Sequence, residues 1–239
     1  MDLQTLVNSY VRPPEARLLV EDTRITLLVG ISGAGKDTTK RSLVASGDFA
    51  DIVSYTTRAP RSNNGQPEQD GIYYHFIDEI QARSMLERHE FIEAKLVHGT
   101  LYGTSLAELQ KIQHEDKIAV TDLDVQGVAE YKELSRDVVA LFILPPDYAT
   151  WRERLSQRYE TEAAFNAEWP RRSASAIIEL QHALSLPYYH FIINNEIEHT
   201  ATIASEIAHR GDIFKRGDDV ARLAARDLLE SIRTPLVLE

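Results

Sequence analysis

Apolar positions along the chain follow two rhythms. Near-continuous runs at Arg24–Val29, Lys117–Leu123 and Val138–Leu144 have the length and branched side chains of strands buried on both faces. Between them lie segments of helical period at Asp37–Ala45, Ile80–His89, Ser105–Ile112 and Ala201–Ala208. Shorter strands are expected at Ile52–Tyr55, Phe91–Val97 and Phe191–Asn194, and a polar loop from Arg61 to Gly71. Pro146–Arg158 reads as a helix entered through proline, and helix-prone sequence continues to Leu184 with an interruption at Pro170. Val220–Ile232 has an apolar stripe, and Thr104 or Ser105 is placed to cap the helix that follows it. Alternating strand and helix predict an α/β fold, a parallel sheet covered by helices with ligands at the strands' carboxyl ends.

Composition narrows the function classes. The chain has 239 residues, enough for one large domain or one domain with an inserted lobe, and is 43% apolar and 26% charged. No apolar stretch approaches the length of a membrane span, and Met1–Tyr10 lacks the basic start and apolar centre of an export signal. The absence of cysteine rules out disulfides and thiolate metal sites and suits a cytoplasmic home. A formal net charge of −11 argues against a nucleic-acid surface, so anionic ligands must be gathered by local clusters of cations.

One segment carries chemistry by itself. Gly30-Ile31-Ser32-Gly33-Ala34-Gly35-Lys36-Asp37-Thr38 stands between a strand and a helix, which is the setting of a phosphate-binding loop. Glycines let successive backbone N–H groups face inward, the helix start adds partial positive charge, and Lys36 reaches the outer phosphates. The expected ligand is a nucleoside triphosphate. The residue after the lysine is Asp37 where Ser or Thr is usual, so Thr38 is the candidate hydroxyl for Mg²⁺.

Five further segments and a set of arginines follow in order. Ser54-Tyr55-Thr56-Thr57-Arg58-Ala59-Pro60-Arg61 places two arginines in a loop at a strand end, and Asp70-Gly71-Ile72-Tyr73-Tyr74-His75-Phe76 comes next. Phe91-Ile92-Glu93 leads to Tyr102-Gly103-Thr104, and Asp122-Leu123-Asp124-Val125-Gln126-Gly127 ends a buried run, with Asp122 and Asp124 read as alternating along one strand face. Arg154 and Arg158 lie four apart on one helical face, ahead of Arg171 and Arg172.

Jointly these segments resemble the guanylate kinase family, which phosphorylates GMP with ATP, over roughly residues 24–208. The resemblance implies a P-loop NTPase three-layer parallel sheet, an inserted monophosphate-binding lobe about residues 56–104 and a helical lid about 151–176. Residues 1–23 and 209–239 would be extensions. It implies that Arg58, Arg61, Tyr74 and Tyr102 hold the GMP phosphate and that Glu93 accepts from the guanine edge. Ser54 and Thr104 would lie near the base, Asp124 would touch substrate, and Asp122 would orient Mg²⁺ through water. It also implies that Arg154, Arg158 and Arg172 close over the phosphates and that Asn194 lies near adenine. Small nucleotides are the implied partners, with no nucleic acid and no membrane. The Lys36-Asp37 step resembles ribose bisphosphate kinases of the same fold, which generally lack the Asp-x-Asp-x-Gln-Gly segment present here. The alternatives are therefore another small phosphate ester as acceptor, or a non-catalytic phosphopeptide-binding module.

Overall fold

The computed structural model describes residues 2–63, 66–97, 99–211 and 218–234. Two helices precede the first strand: α1 (Leu3–Asn8), capped by the Asp2 carboxylate, and α2 (Pro14–Asp22), which starts on a proline that needs no N–H partner there. Neither was expected from periodicity, and α1 is too short to show a helical repeat. Strand β1 (Ile25–Val29) is buried throughout and feeds the glycine-rich loop and α3 (Lys36–Ala45). Next comes β2 (Phe49–Asp51), where the sequence had suggested a strand over Ile52–Tyr55. The shift has a simple cause. Ile52 is buried and its N–H still bonds Val120 O at 2.9 Å, so its apolar character reflects the end of the pairing and not its centre.

The chain then leaves for a separate lobe. It holds β3 (Tyr55–Thr56), β4 (Ser62–Asn63), β5 (Gln66–Pro67), β6 (His75–Phe76), α4 (Glu79–Glu87), β7 (Phe91–Val97) and β8 (Thr100–Ser105). Four of these form a sheet in the order β6-β3-β8-β7, with β7 at an edge, while β4 and β5 pair with each other. The expected helix over Ile80–His89 is α4, fixed by a capping box between Asp78 and Gln81. Helix α1 packs on α4, so Leu3 joins Ala82, Met85, Leu86, Phe91 and Leu101 in a second small core.

Returning to the main body, α5 (Leu106–His114) is capped by Ser105, one of the two caps anticipated. Strand β9 (Ile118–Asp122) and α6 (Val125–Leu134) follow, then the fully buried β10 (Val139–Leu144). Helix α7 (Tyr148–Ser156) is entered through the Asp147 cap, one residue past the proline. Helix α8 (Glu162–Ser185) leads to β11 (Tyr189–Ile193), α9 (Ile197–Arg210) and α10 (Asp218–Arg233). The central sheet has the order β11-β10-β1-β9-β2 with every pairing parallel. Helices α3 and α9 pack together against it, and a second series joins α2 to α5 and α6, α6 to α8, and α8 to α10. Of the 209–239 extension, 212–217 and 235–239 lie outside the described residues. Helix α10 buries Ala221, Ala225, Leu228, Leu229 and Ile232 in the main core. Among the described residues no helix is long and apolar enough to cross a membrane.

The interruption expected at Pro170 does not occur: α8 runs through it as one helix of 24 residues. Packing overrides the local penalty. Phe165 and Trp169, on the turns before the proline, stack with Tyr148, Trp151 and Tyr159, and the Ser173 hydroxyl donates to the carbonyls of Trp169 and Pro170. Proline still forfeits the hydrogen bond that residue 170 would give to Asn166. Pro170→Ala should therefore stabilise the fold by about 1 kcal/mol or more, read as a higher urea midpoint with unchanged slope. A lower midpoint would show that the proline bend is needed for the aromatic packing.

Candidate functional site

The glycine-rich loop connects β1 to α3 and is held from outside. Gly35 has φ 100°, and a Cβ there would run into the Asn194 side chain; Gly30 has φ 140°, with the Ile143 carbonyl where its Cβ would be. Asn194 is buried, its amide donates to Ala34 O at 2.8 Å, and its carbonyl oxygen accepts from Thr200. The Asn194 amide thus ties the loop to α9, at the position where the resemblance places adenine nearby. From the other side the fully buried Trp151 of α7 donates its indole N–H to Ser32 O at 2.8 Å. Lys36 folds back on the carbonyls of Gly30 and Ile31. Burial lowers the pKa of its amine, with Glu179, Asp122 and Asp37 pulling the other way. Asp37 is exposed at the start of α3, and Thr38 is half-buried beside it.

A cleft of about 520 Å³ runs from this loop into the lobe. Its lining brings together Ser32, Lys36 and Asp37 from the loop, Ser54 at the entry to the lobe, Tyr74, Glu93 and Tyr102 within it, Asp122 at the end of β9, Asp124 at the cap of α6, and Arg158 and Glu179 from the lid side. Residues far apart in sequence thus share one concave surface, the usual form of a small-molecule site. Glu93 is only 8% exposed and accepts from the Thr104 hydroxyl at 2.9 Å. Burial pushes its carboxyl up to about 7, against the opposing hydrogen bond from Thr104 and the charge of Lys95.

Some expected residues stand back from the cleft. Arg58 reaches it indirectly: its guanidinium pairs with Glu68 at 2.8 Å and lies over the Tyr74 and Phe76 rings at 5.3 and 5.7 Å. Arg61 is exposed, and its backbone N–H donates to the same Glu68 carboxylate. Asp122 and Asp124 do not share a strand face, because β9 ends at Asp122 and Asp124 caps α6, accepting from Gly127 N at 2.7 Å. Asp122 Oδ1 meets Lys40 Nζ at 3.0 Å, and Lys40 reaches Asp51 at the same distance. Burial alone would lower the Lys40 pKa, but the two carboxylates outweigh it and raise it. In the lid, Arg158 approaches Ser32 Oγ at 3.3 Å, Arg154 donates to Asn194 O, and Arg172 donates to the Tyr159 hydroxyl at 3.0 Å. Within α8 it is Arg171 that pairs with a glutamate, Glu168.

Sequence reasoning missed Lys40, Glu68, Lys95, Trp151 and Glu179. Two of them carried a usable signal: Lys40 lies one turn beyond Lys36, and Glu179 two turns beyond Arg172, each on the same helical face. Glu179 projects a carboxylate into the cleft whose pKa burial raises to about 6, with Lys36 the main opposing charge.

A sequence model of the guanylate kinase family matches residues 22–210. Guanylate kinase of Methylobacillus flagellatus is 32% identical over 202 residues, which span 82% of this chain and 96% of that protein. Guanylate kinase of Chromohalobacter salexigens is 35% identical over 179 residues, 74% of this chain and 79% of the relative. Among solved structures, a crystal structure of guanylate kinase from Anaplasma phagocytophilum superposes with a TM-score of 0.58 at 27% identity, covering 78% of this chain and 84% of that one.

The buried Glu93 generates a stability prediction of definite sign. Its carboxyl titrates near 7 when folded and near 4.5 when unfolded, so the folded state binds the extra proton between those values. The stabilisation this proton confers is complete below about pH 4.5 and lost as pH rises through 7, up to ~3 kcal/mol in all. Glu93→Gln does not titrate. Urea unfolding of both proteins should therefore show the variant gaining on the wild type between pH 5 and pH 8; a constant difference would mean that Glu93 is solvated.

Proposed function

The chain belongs to the guanylate kinase family, and on that premise we propose that it transfers the γ-phosphoryl group of ATP to GMP, giving ADP and GDP. The observation that carries this reading is the continuity of the cleft, which joins the phosphate loop at one end to the buried Glu93 carboxylate at the other. The loop N–H groups and the start of α3 receive the triphosphate, and Lys36 leaves the carbonyls of Gly30 and Ile31 to take the outer phosphates. Ionised Glu93 accepts from guanine N1–H and the 2-amino group, with Thr104 and Ser54 beside it. Tyr74, Tyr102, Arg58 and Arg61 hold the GMP phosphate, Arg58 exchanging Glu68 for the incoming dianion. Arg158, already at Ser32, closes over the transferring group with Arg154 and Arg172, and Asp124 borders the acceptor while capping α6.

The oxygen donors at the head of α3 and the end of β9 fit Mg²⁺. Thr38 offers a hydroxyl, and Asp122 a carboxylate already bonded to Lys40 on one oxygen and so suited to contact through water. Among the described residues no cluster of three or more acidic or histidine side chains could hold a metal, and the triphosphate supplies the remaining ligands. Bound there, the ion would neutralise charge on the triphosphate. The helices α7 and α8 form the lid in this reading, residues 55–105 the acceptor lobe, and the enzyme acts in the cytoplasm on small nucleotides.

Acceptor choice is the direct test. ADP release from ATP should be fastest with GMP or dGMP and lower by about 10³- to 10⁴-fold in kcat/KM with AMP, because adenine presents a lone pair to a buried carboxylate. Comparable turnover of AMP, UMP or ribose 1,5-bisphosphate would reject the guanine assignment. The lid gives a second test. Arg158→Ala should lower kcat by about 10²-fold while leaving the GMP KM within about threefold, since the arginine engages in the closed complex. Equal losses in both would make it an ordinary ground-state contact.

A further inference from the structure

The strand that carries Glu93 is an edge strand with an irregular register. Phe91 pairs with Ser105 and Glu93 with Thr104, so Ile92 is an extra residue and β7 bulges just before the carboxylate. Side chains alternate along a strand, and a one-residue slip would carry Glu93 to the opposite face and break its bond to Thr104. Something must pin the register at the bulge, because among the described residues β7 has no strand on its outer side.

The pin comes from the N-terminal segment. The Tyr10 hydroxyl donates to Phe91 O at 2.6 Å and accepts from Phe91 N at 2.9 Å, so one side-chain atom satisfies both backbone groups on the open edge. Tyr10 is itself held in place: its ring stacks on His89 at 5.8 Å and meets Phe91 edge-on at 6.5 Å, and His89 Nδ1 bonds Val11 O. Helix α1 buries Leu3 in the lobe's small core, whereas α2 packs on α5 and α6 of the main body. The segment between those helices therefore crosses from one body to the other and carries Tyr10 to the base of the acceptor site.

We propose that Tyr10 is a positioning residue for guanine recognition, its hydroxyl fixing the β7 bulge so that Glu93 faces the cleft beside Thr104. The inference rests on the reading of Glu93 as the guanine contact. Its signature is a selective loss of acceptor binding, since the phosphate loop and lid are held by Asn194 and Trp151 and owe nothing to Tyr10.

Steady-state kinetics of the full chain with ATP and either GMP or AMP test this in three proteins. In Tyr10→Phe, which removes only the hydroxyl, the GMP KM should rise about tenfold, with kcat and the ATP KM within about twofold, and the preference for GMP over AMP should fall by a similar factor. In Leu3→Ala, which loosens the same helix without touching the hydroxyl, the thermal midpoint should fall while the GMP KM stays within about twofold of wild type. A GMP KM unchanged in Tyr10→Phe overturns the proposal, as does an equal rise in Leu3→Ala or a matching loss in kcat and ATP binding. A wild-type chain that does not phosphorylate GMP overturns the underlying reading as well, which distinguishes that failure from the failure of Tyr10 alone.

Discussion

The rest of the structure depends on keeping the turn between β1 and α3 open. Inside the loop, among the described residues, only the Ala34 N–H bonds another loop carbonyl, that of Ile31, and the rest of the loop's bracing comes from outside. Asn194 holds Ala34, Trp151 holds Ser32, and the Ile143 carbonyl fills the space that a side chain at Gly30 would need. These braces come from the ends of β10 and β11 and from α7. The order β11-β10-β1-β9-β2, with every strand parallel, places those ends beside the loop. The fold's parallel topology is thus what lets a destabilised turn persist.

The lobe meets a similar constraint with a different group. A carboxylate buried as deeply as Glu93 resists ionisation, and Thr104 compensates only in part. Its desolvation is useful only if the carboxylate is aimed at a partner carrying two donors. Aim depends on a bulged edge strand, and that strand's open side is closed by Tyr10. On the proposed reading, stability, register and specificity in the lobe would rest on the same few atoms.

Legibility in the sequence followed the reach of each signal. Strands buried on both faces, such as Val139–Leu144, appear as apolar runs and were placed to within a residue. The phosphate loop is contiguous and could be read directly. Strand β8 was not seen, because Gly103 interrupts its strand-favouring tyrosine and threonines and the strand is held by pairing to β3 and β7. Pro170 misled because its local penalty is outweighed by the aromatic packing of Trp169 and Phe165, which no local window contains. Asp124 looked like a strand residue through its spacing from Asp122, but the strand had already ended and the carboxylate was capping a helix. Glu68 was invisible as a site residue because its importance lies in meeting Arg58, and the spacing of Lys40 from Lys36 could not show that its partners are Asp51 and Asp122.

Those last pairings give the cleft its character. In a chain of net charge −11, its cations are already engaged: Arg58 with Glu68, Lys40 with Asp51 and Asp122, Lys36 with loop carbonyls under the field of Glu179. A phosphate entering the cleft, as proposed, would therefore exchange partners with groups that are positioned and charged, and would not neutralise bare cations. Such exchange makes binding weaker than the number of basic residues suggests, since each new contact replaces an old one. In the proposed reaction it would also keep Lys36 and Arg58 from closing on the wrong anion, because only a ligand that satisfied both ends of the cleft at once would recover what the displaced carboxylates and carbonyls gave up.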